Sequence, residues 1–162
     1  MDDLDCPLVE FHPGPLPADM DPRFPNITLR HLLSHTSGLD DTNEVEADPR
    51  AALSRLAALA EPGRAFRYSN VAFDIAHGIA ARVAGVDAFG LLQQRVLGPL
   101  GMRATRPTDT FPRGVLATTA RDLLQLATEL LGGGRVLRPQ SRDELARIDG
   151  NAIPQGLPCS AE

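Results

Sequence analysis

Residues 69–85 read SNVAFDIAHGIAARVAG. Val71, Ile75, Ile79 and Val83 recur every fourth residue, which aligns them on one face of an α-helix. Ala72, Ala76 and Ala80 lie beside them, small enough to let a neighbouring helix come close. Ser69 or Asn70 can accept from the open N–H groups of the first turn, and Gly85 suits the residue just past the end. The same reasoning finds helices on both sides. Thr28 or Asn26 can cap a short one carrying Leu29, Leu32 and Leu33, stopped by Thr36-Ser37-Gly38. Asp48-Pro49 opens a helix to about residue 60, with Leu53, Leu56 and Ala60 at helical spacing. Asp87 caps another, with Phe89, Leu92 and Val96 inward, closed by Gly98-Pro99. Thr119, with Asp122 in the Glu place of a capping box, starts a helix whose stripe is Ala120, Leu123, Leu124, Ala127, Leu130 and Leu131. Gly132-Gly133-Gly134 breaks it, and a last helix is expected over 139–148. No alternating run of five or more residues reads as a strand. The expectation is a mainly α chain.

Outside these helices the chain changes character. Residues 1–26 hold Pro7, Pro13, Pro15, Pro17, Pro22 and Pro25, which predicts a loop-rich lead-in. Residues 149–162 have no periodicity and read as an irregular tail. One helical domain over 27–148 remains between them. At 162 residues, with 43% apolar and 23% charged, the chain has material for a core and is not a disordered composition. A net charge of −5 argues against a nucleic-acid or anionic-membrane surface. No apolar run reaches the roughly 18–20 residues of a membrane span. The acidic start, MDDLDCPLVE, is unlike a signal peptide, so the cytoplasm is the default compartment. Cys6 and Cys159 sit near opposite ends, and whether they pair is open; two free thiols are favoured.

An absence narrows the chemistry. All 16 basic residues are Arg, so no mechanism can use a lysine of this chain. There is no G-x-S-x-G, and no serine is followed three residues on by Lys. His31 and His35 have the i, i+4 spacing of zinc ligands but no Glu between them and no fixed third ligand. Ring nitrogens bonded to nearby backbone at a helix end are the favoured reading of that pair, and a metal-dependent hydrolase is an alternative. The acidic run 40–48 lacks the Gly and Glu of a calcium loop. No cofactor is indicated. The most suggestive short segment is RAFRYSN, 64–70. Tyr68, the single tyrosine, and Asn70 lie two apart, so in extended backbone they point the same way. They could present a phenol and an amide to one pocket. A buried Tyr68 with Asn70 as a helix cap is the competing structural reading.

HLLSHTSGL (31–39), EPGRAFRYSN (61–70) running into a helix, VLGPLGM (96–102) and GVLATTARDLLQLATELLGGG (114–134) occur in that order. In series they resemble the serine β-lactamase-like superfamily: class C β-lactamases, penicillin-binding-protein-like D-alanyl carboxypeptidases and related esterases. The resemblance covers about residues 3–148. It implies acyl transfer, in which a serine of S-x-x-K attacks a β-lactam, ester or D-Ala-D-Ala carbonyl. Its lysine and the tyrosine of Y-x-N handle the proton, and a later strand with K-T-G or H-x-G completes the site. Tyr68-Ser69-Asn70 looks like the Y-x-N motif. By resemblance Tyr68 is the acid–base relay and Asn70 the substrate-amide partner, while Ser37 of H-T-S-G-L is structural. The S-x-x-K and K-T-G or H-x-G motifs are absent, and the segment between Met102 and Gly114 is shorter than usual. The resemblance therefore implies the helical lobe and connecting segments of an α+β fold, with the flanking antiparallel sheet largely missing. It implies a truncated, inactive hydrolase whose parent takes a small-molecule or peptide substrate. Helix faces without their sheet could support self-association, and a non-catalytic helical interaction module is a further alternative.

Far-UV circular dichroism is expected to be helix-dominated, and a β-dominated spectrum would contradict the helical reading. The dialysed chain should hold far less than one zinc per molecule by elemental analysis. Stoichiometric zinc that survives dialysis would instead favour the His31/His35 metal site.

Overall fold

The structure, a computed structural model, describes residues 3–11, 18, 20–39, 60–108 and 116–146. The acidic run 40–48, the expected helix from residue 49, Cys159 and the tail 149–162 fall outside the described residues. The described part is helical, with two strands of two residues each. Residues up to Ala76 belong to one compact unit and residues from His77 to Ala146 to a second.

In the first unit the described residues of the proline-rich lead-in contribute to the packing. Short 3-10 turns form at Asp3–Asp5, Leu8–Phe11 and Phe24–Asn26. Leu8 N–H donates to the Ile27 carbonyl at 2.8 Å, and Pro7 bridges Thr28. Leu8, Phe24 and Ile27 are buried. Burying such side chains stabilises by about 1.5–3 kcal/mol each, enough to hold a segment that proline keeps out of longer helices. Helix α1, Leu29–Leu33, is capped by Thr28, whose Oγ1 accepts from His31 N–H while Thr28 N–H donates to His31 Nδ1. This is a capping box with histidine in the place of Glu. Helix α2, Asn70–Ala84, begins in the first unit and continues into the second. Val71, Ala72, Ile75 and Ala76 are buried, but Val83 is exposed, so the stripe read from the sequence is covered only along its first half.

In the second unit Asp87 Oδ1 caps helix α3 through Gly90 N–H. The helix does not close at Gly98-Pro99. It runs from Ala88–Leu92 through a π-turn, Gln93–Leu97, to Gly98–Leu100, and ends at Gly101 in the left-handed region. Proline inside a helix removes an N–H and clashes with the carbonyl four residues back. The widened turn, with Gly98 N–H bonded five residues back to the Gln93 carbonyl, accommodates it. Strands β1, Arg106–Pro107, and β2, Leu116–Ala117, pair antiparallel. Leu97, Leu100 and Met102 form the core, with Phe89, Leu92, Val96, Leu126 and Val136 packed against them.

Helix α4, Ala120–Thr128, continues as a π-turn over Glu129–Gly133, and helix α5 spans Pro139–Ala146. In α4 the sequence pattern and the burial disagree. Leu123, Leu124, Leu130 and Leu131 are exposed, Leu131 at 89%. The inward face is Asp122, Leu126 and Glu129 instead. Thr119 caps the helix as expected, but Asp122 does not return a bond as a capping-box acid would. Its Oδ2 accepts from Ala104 N–H at 2.9 Å and Thr105 Oγ1 at 2.7 Å, and Thr105 Oγ1 also lies 2.8 Å from Thr118 Oγ1. Glu129 accepts from the backbone N–H groups of Arg135, Val136 and Leu137 at 3.0, 2.8 and 2.7 Å. Periodicity announces an apolar face. It does not announce that two acids will bury themselves by satisfying backbone donors that would otherwise be orphaned.

Two predictions follow from these acids. Asp122→Ala leaves the Ala104 amide and the Thr105 hydroxyl without their acceptor, and is expected to destabilise by roughly 2–4 kcal/mol in urea unfolding. The N–H groups of Leu137 and then Val136 hold the Glu129 carboxyl below its ordinary value, against the opposing effect of burial. That stabilisation is fully present above the unfolded carboxyl's value near ~4.3 and is lost as the pH falls through the lower folded value. The wild-type urea midpoint should therefore fall more steeply in acid than that of Glu129→Gln. Parallel profiles would show that Glu129 contributes nothing to the pH dependence.

Candidate functional site

The H-T-S-G-L and Y-S-N segments pack against each other within the first unit. Helix α1 ends in a Schellman arrangement: Thr36 N–H donates to the His31 carbonyl at 2.9 Å and His35 N–H to the Leu32 carbonyl at 3.3 Å. The left-handed residue that such an end requires is His35, with φ of 56°. Glycine is usual there, and a side chain in this region costs on the order of 1–3 kcal/mol unless its surroundings hold it. They do. The His35 carbonyl accepts from Arg67 N–H at 2.7 Å, and its Nδ1 accepts from Ser69 N–H at 3.2 Å, which leaves the ring proton on Nε2. Its ring meets Phe66, Tyr68 and Phe73 at centroid distances of 5.6, 4.6 and 4.8 Å.

The remaining motif residues complete the scaffold. The Thr36 carbonyl accepts from Gly63 N–H at 2.8 Å, and Ser34 Oγ and Thr36 Oγ1 lie 2.8 Å apart. Ser37 is 1% exposed and its Oγ accepts from Leu39 N–H. Gly38 has φ of 74°, and a Cβ there would collide with the Ala60 carbonyl oxygen. Leu39 is fully buried.

On this frame Tyr68 is 60% exposed and its hydroxyl donates to Asn70 Oδ1 at 3.1 Å. The two side chains expected on one side of the chain do meet. The competing structural reading fails on both its parts. Tyr68 is not buried, and the cap of α2 is Ser69, whose Oγ accepts from Ala72 N–H at 3.1 Å. Asn70 is the first residue inside the helix and turns its amide to the phenol. A phenol hydroxyl in this setting can donate to, or relay a proton towards, a group arriving from solvent.

The i, i+4 geometry expected of the histidine pair is not formed. His35 lies beyond the end of α1, so His31 and His35 do not share a helix face, and each Nδ1 already accepts a backbone N–H. Among the described residues no three His, Cys, Asp or Glu side chains gather as metal ligands. None of the described serines of this unit has an open hydroxyl beside Tyr68. Ser34 donates to the Arg30 carbonyl, Ser37 is buried and Ser69 caps α2. Sequence reading missed the part played by His35, Phe66 and Phe73. The available signal was a non-glycine residue at the end of a helix followed by Thr-Ser-Gly.

A family model described as Beta-lactamase matches residues 3–158. A human β-lactamase-like protein is 34% identical over an alignment covering 52% of this chain and 23% of its own length. A β-lactamase from Mycobacterium bovis is 28% identical with a TM-score of 0.63, covering 91% of this chain and 52% of that one. A β-lactamase-type structure from Bacteroides dorei is 25% identical with a TM-score of 0.68, covering 86% and 47%. The chain thus spans about a quarter of the curated relative and about half of the solved structures. The family match runs through the lead-in, both site motifs and the helices beyond them, and the chain belongs to the β-lactamase family.

Proposed function

We propose that this chain carries the Tyr-x-Asn part of a serine-hydrolase site of the β-lactamase type. The parent reaction is hydrolysis of a β-lactam, a D-Ala-D-Ala peptide or an ester through an acyl-serine. The observation that carries the reading is the exposed Tyr68 hydroxyl bonded to Asn70 Oδ1 at the start of α2. In this role Tyr68 passes a proton at its hydroxyl oxygen, and Asn70 orients the phenol and offers an amide to the substrate. The chain by itself does not turn over. A serine hydroxyl is a weak nucleophile until a neighbouring base activates it, and a sequence with no lysine holds no S-x-x-K.

Intact mass before and after incubation with a chromogenic cephalosporin, a fluorophosphonate or an activated ester should show no covalent adduct. A stoichiometric acyl adduct on any serine would overturn the inactive reading. When the chain is joined to segments carrying S-x-x-K and K-T-G, hydrolysis should appear. In that protein Tyr68→Phe should lower kcat by about 10²–10⁴-fold with little change in melting, as expected for a lost acid–base group. An unchanged kcat would remove Tyr68 from the mechanism.

A further inference from the structure

We infer that His35 is a positioning residue for Tyr68, fixing the phenol through its ring as well as holding the turn through its backbone. The inference rests on the reading of Tyr68 as the acid–base group and adds the residue that sets its place. Four contacts converge on this one side chain. Its ring lies 4.6 Å from the Tyr68 ring, with a tilt of 31°. The Phe73 and Phe66 rings lie 4.8 and 5.6 Å away. Nδ1 accepts from the amide of Ser69, the residue between Tyr68 and Asn70.

Tyr68 is mostly exposed, so burial does not explain why its hydroxyl should keep a fixed direction. A phenol held only by one bond to Asn70 could swing about its two side-chain torsions. Contact with the His35 ring on one side of the chain, and the Asn70 amide at the tip, restrict both. The Nδ1 bond to Ser69 N–H fixes the backbone from which Tyr68 and Asn70 both project. The left-handed backbone of His35 is what aims the ring at these groups, which accounts for a strained residue where glycine would serve a plain turn.

The 162-residue chain has one tyrosine and no tryptophan, so its near-UV tyrosine band reads Tyr68. His35→Asn is the informative variant, because asparagine tolerates the left-handed region while removing the ring. It should keep the helical far-UV spectrum and lose the near-UV tyrosine band. Wild-type protein should show NOEs between the His35 and Tyr68 ring protons, and an imidazole nitrogen pattern with the proton on Nε2. An unchanged tyrosine band in folded His35→Asn would overturn the proposal and leave His35 as a turn residue only. If that variant does not fold, the wild-type spectra decide: the NOEs and the Nε2–H form support positioning, and the absence of either overturns it. None of these readouts needs turnover. A Tyr68→Phe enzyme with normal kcat would therefore sink the acid–base role of Tyr68 without touching this result.

Discussion

The first unit is organised around one strained residue. His35 closes α1 in a conformation that disfavours side chains, and in doing so sends its carbonyl, Nδ1 and ring all towards residues 63–73. Arg67 and Ser69 donate to it, Gly63 donates to its neighbour Thr36, and three aromatic rings pack on it. The cost of the left-handed backbone is offset by contacts available only in that geometry. Two motifs separated by some thirty residues thereby become one object, and the Tyr68–Asn70 pair is its exposed edge.

Much of this was legible in the sequence, and the failures have identifiable causes. The caps at Thr28, Asp87 and Thr119 were readable because a side-chain oxygen at a helix start has one strong local use. The Tyr68–Asn70 meeting followed from a spacing of two. The assignment of Asn70 as a cap did not survive, because Ser69 stands one position earlier and performs that task. His31 and His35 looked like a pair because spacing assumes one continuous helix, and the helix ends between them. The orientation of α4 was not legible either. A stripe of leucines says that a face is apolar, whereas Asp122 and Glu129 turn inward because backbone donors elsewhere in the chain await them.

The family relation and the chemistry fit together at the level of parts. The chain brings the Tyr68 phenol and the Asn70 amide together at the start of α2, in a sequence without lysine. The described serines of the first unit are engaged in the structure: one bonds the Arg30 carbonyl, one is buried in the turn and one caps α2.

The claim that the two motifs are one structural unit is tested most directly by amide hydrogen exchange on the intact chain. Gly63, Arg67 and Ser69 belong to a segment with no regular secondary structure, and their N–H groups are committed to Thr36 and His35. Their exchange should be slow, in the class of the core amides of α2 at Ile75 and Ala76. Exchange of these three at the rate of an open loop, with α2 still protected, would show that His35 and Thr36 do not hold the Tyr68 segment and would contradict the account.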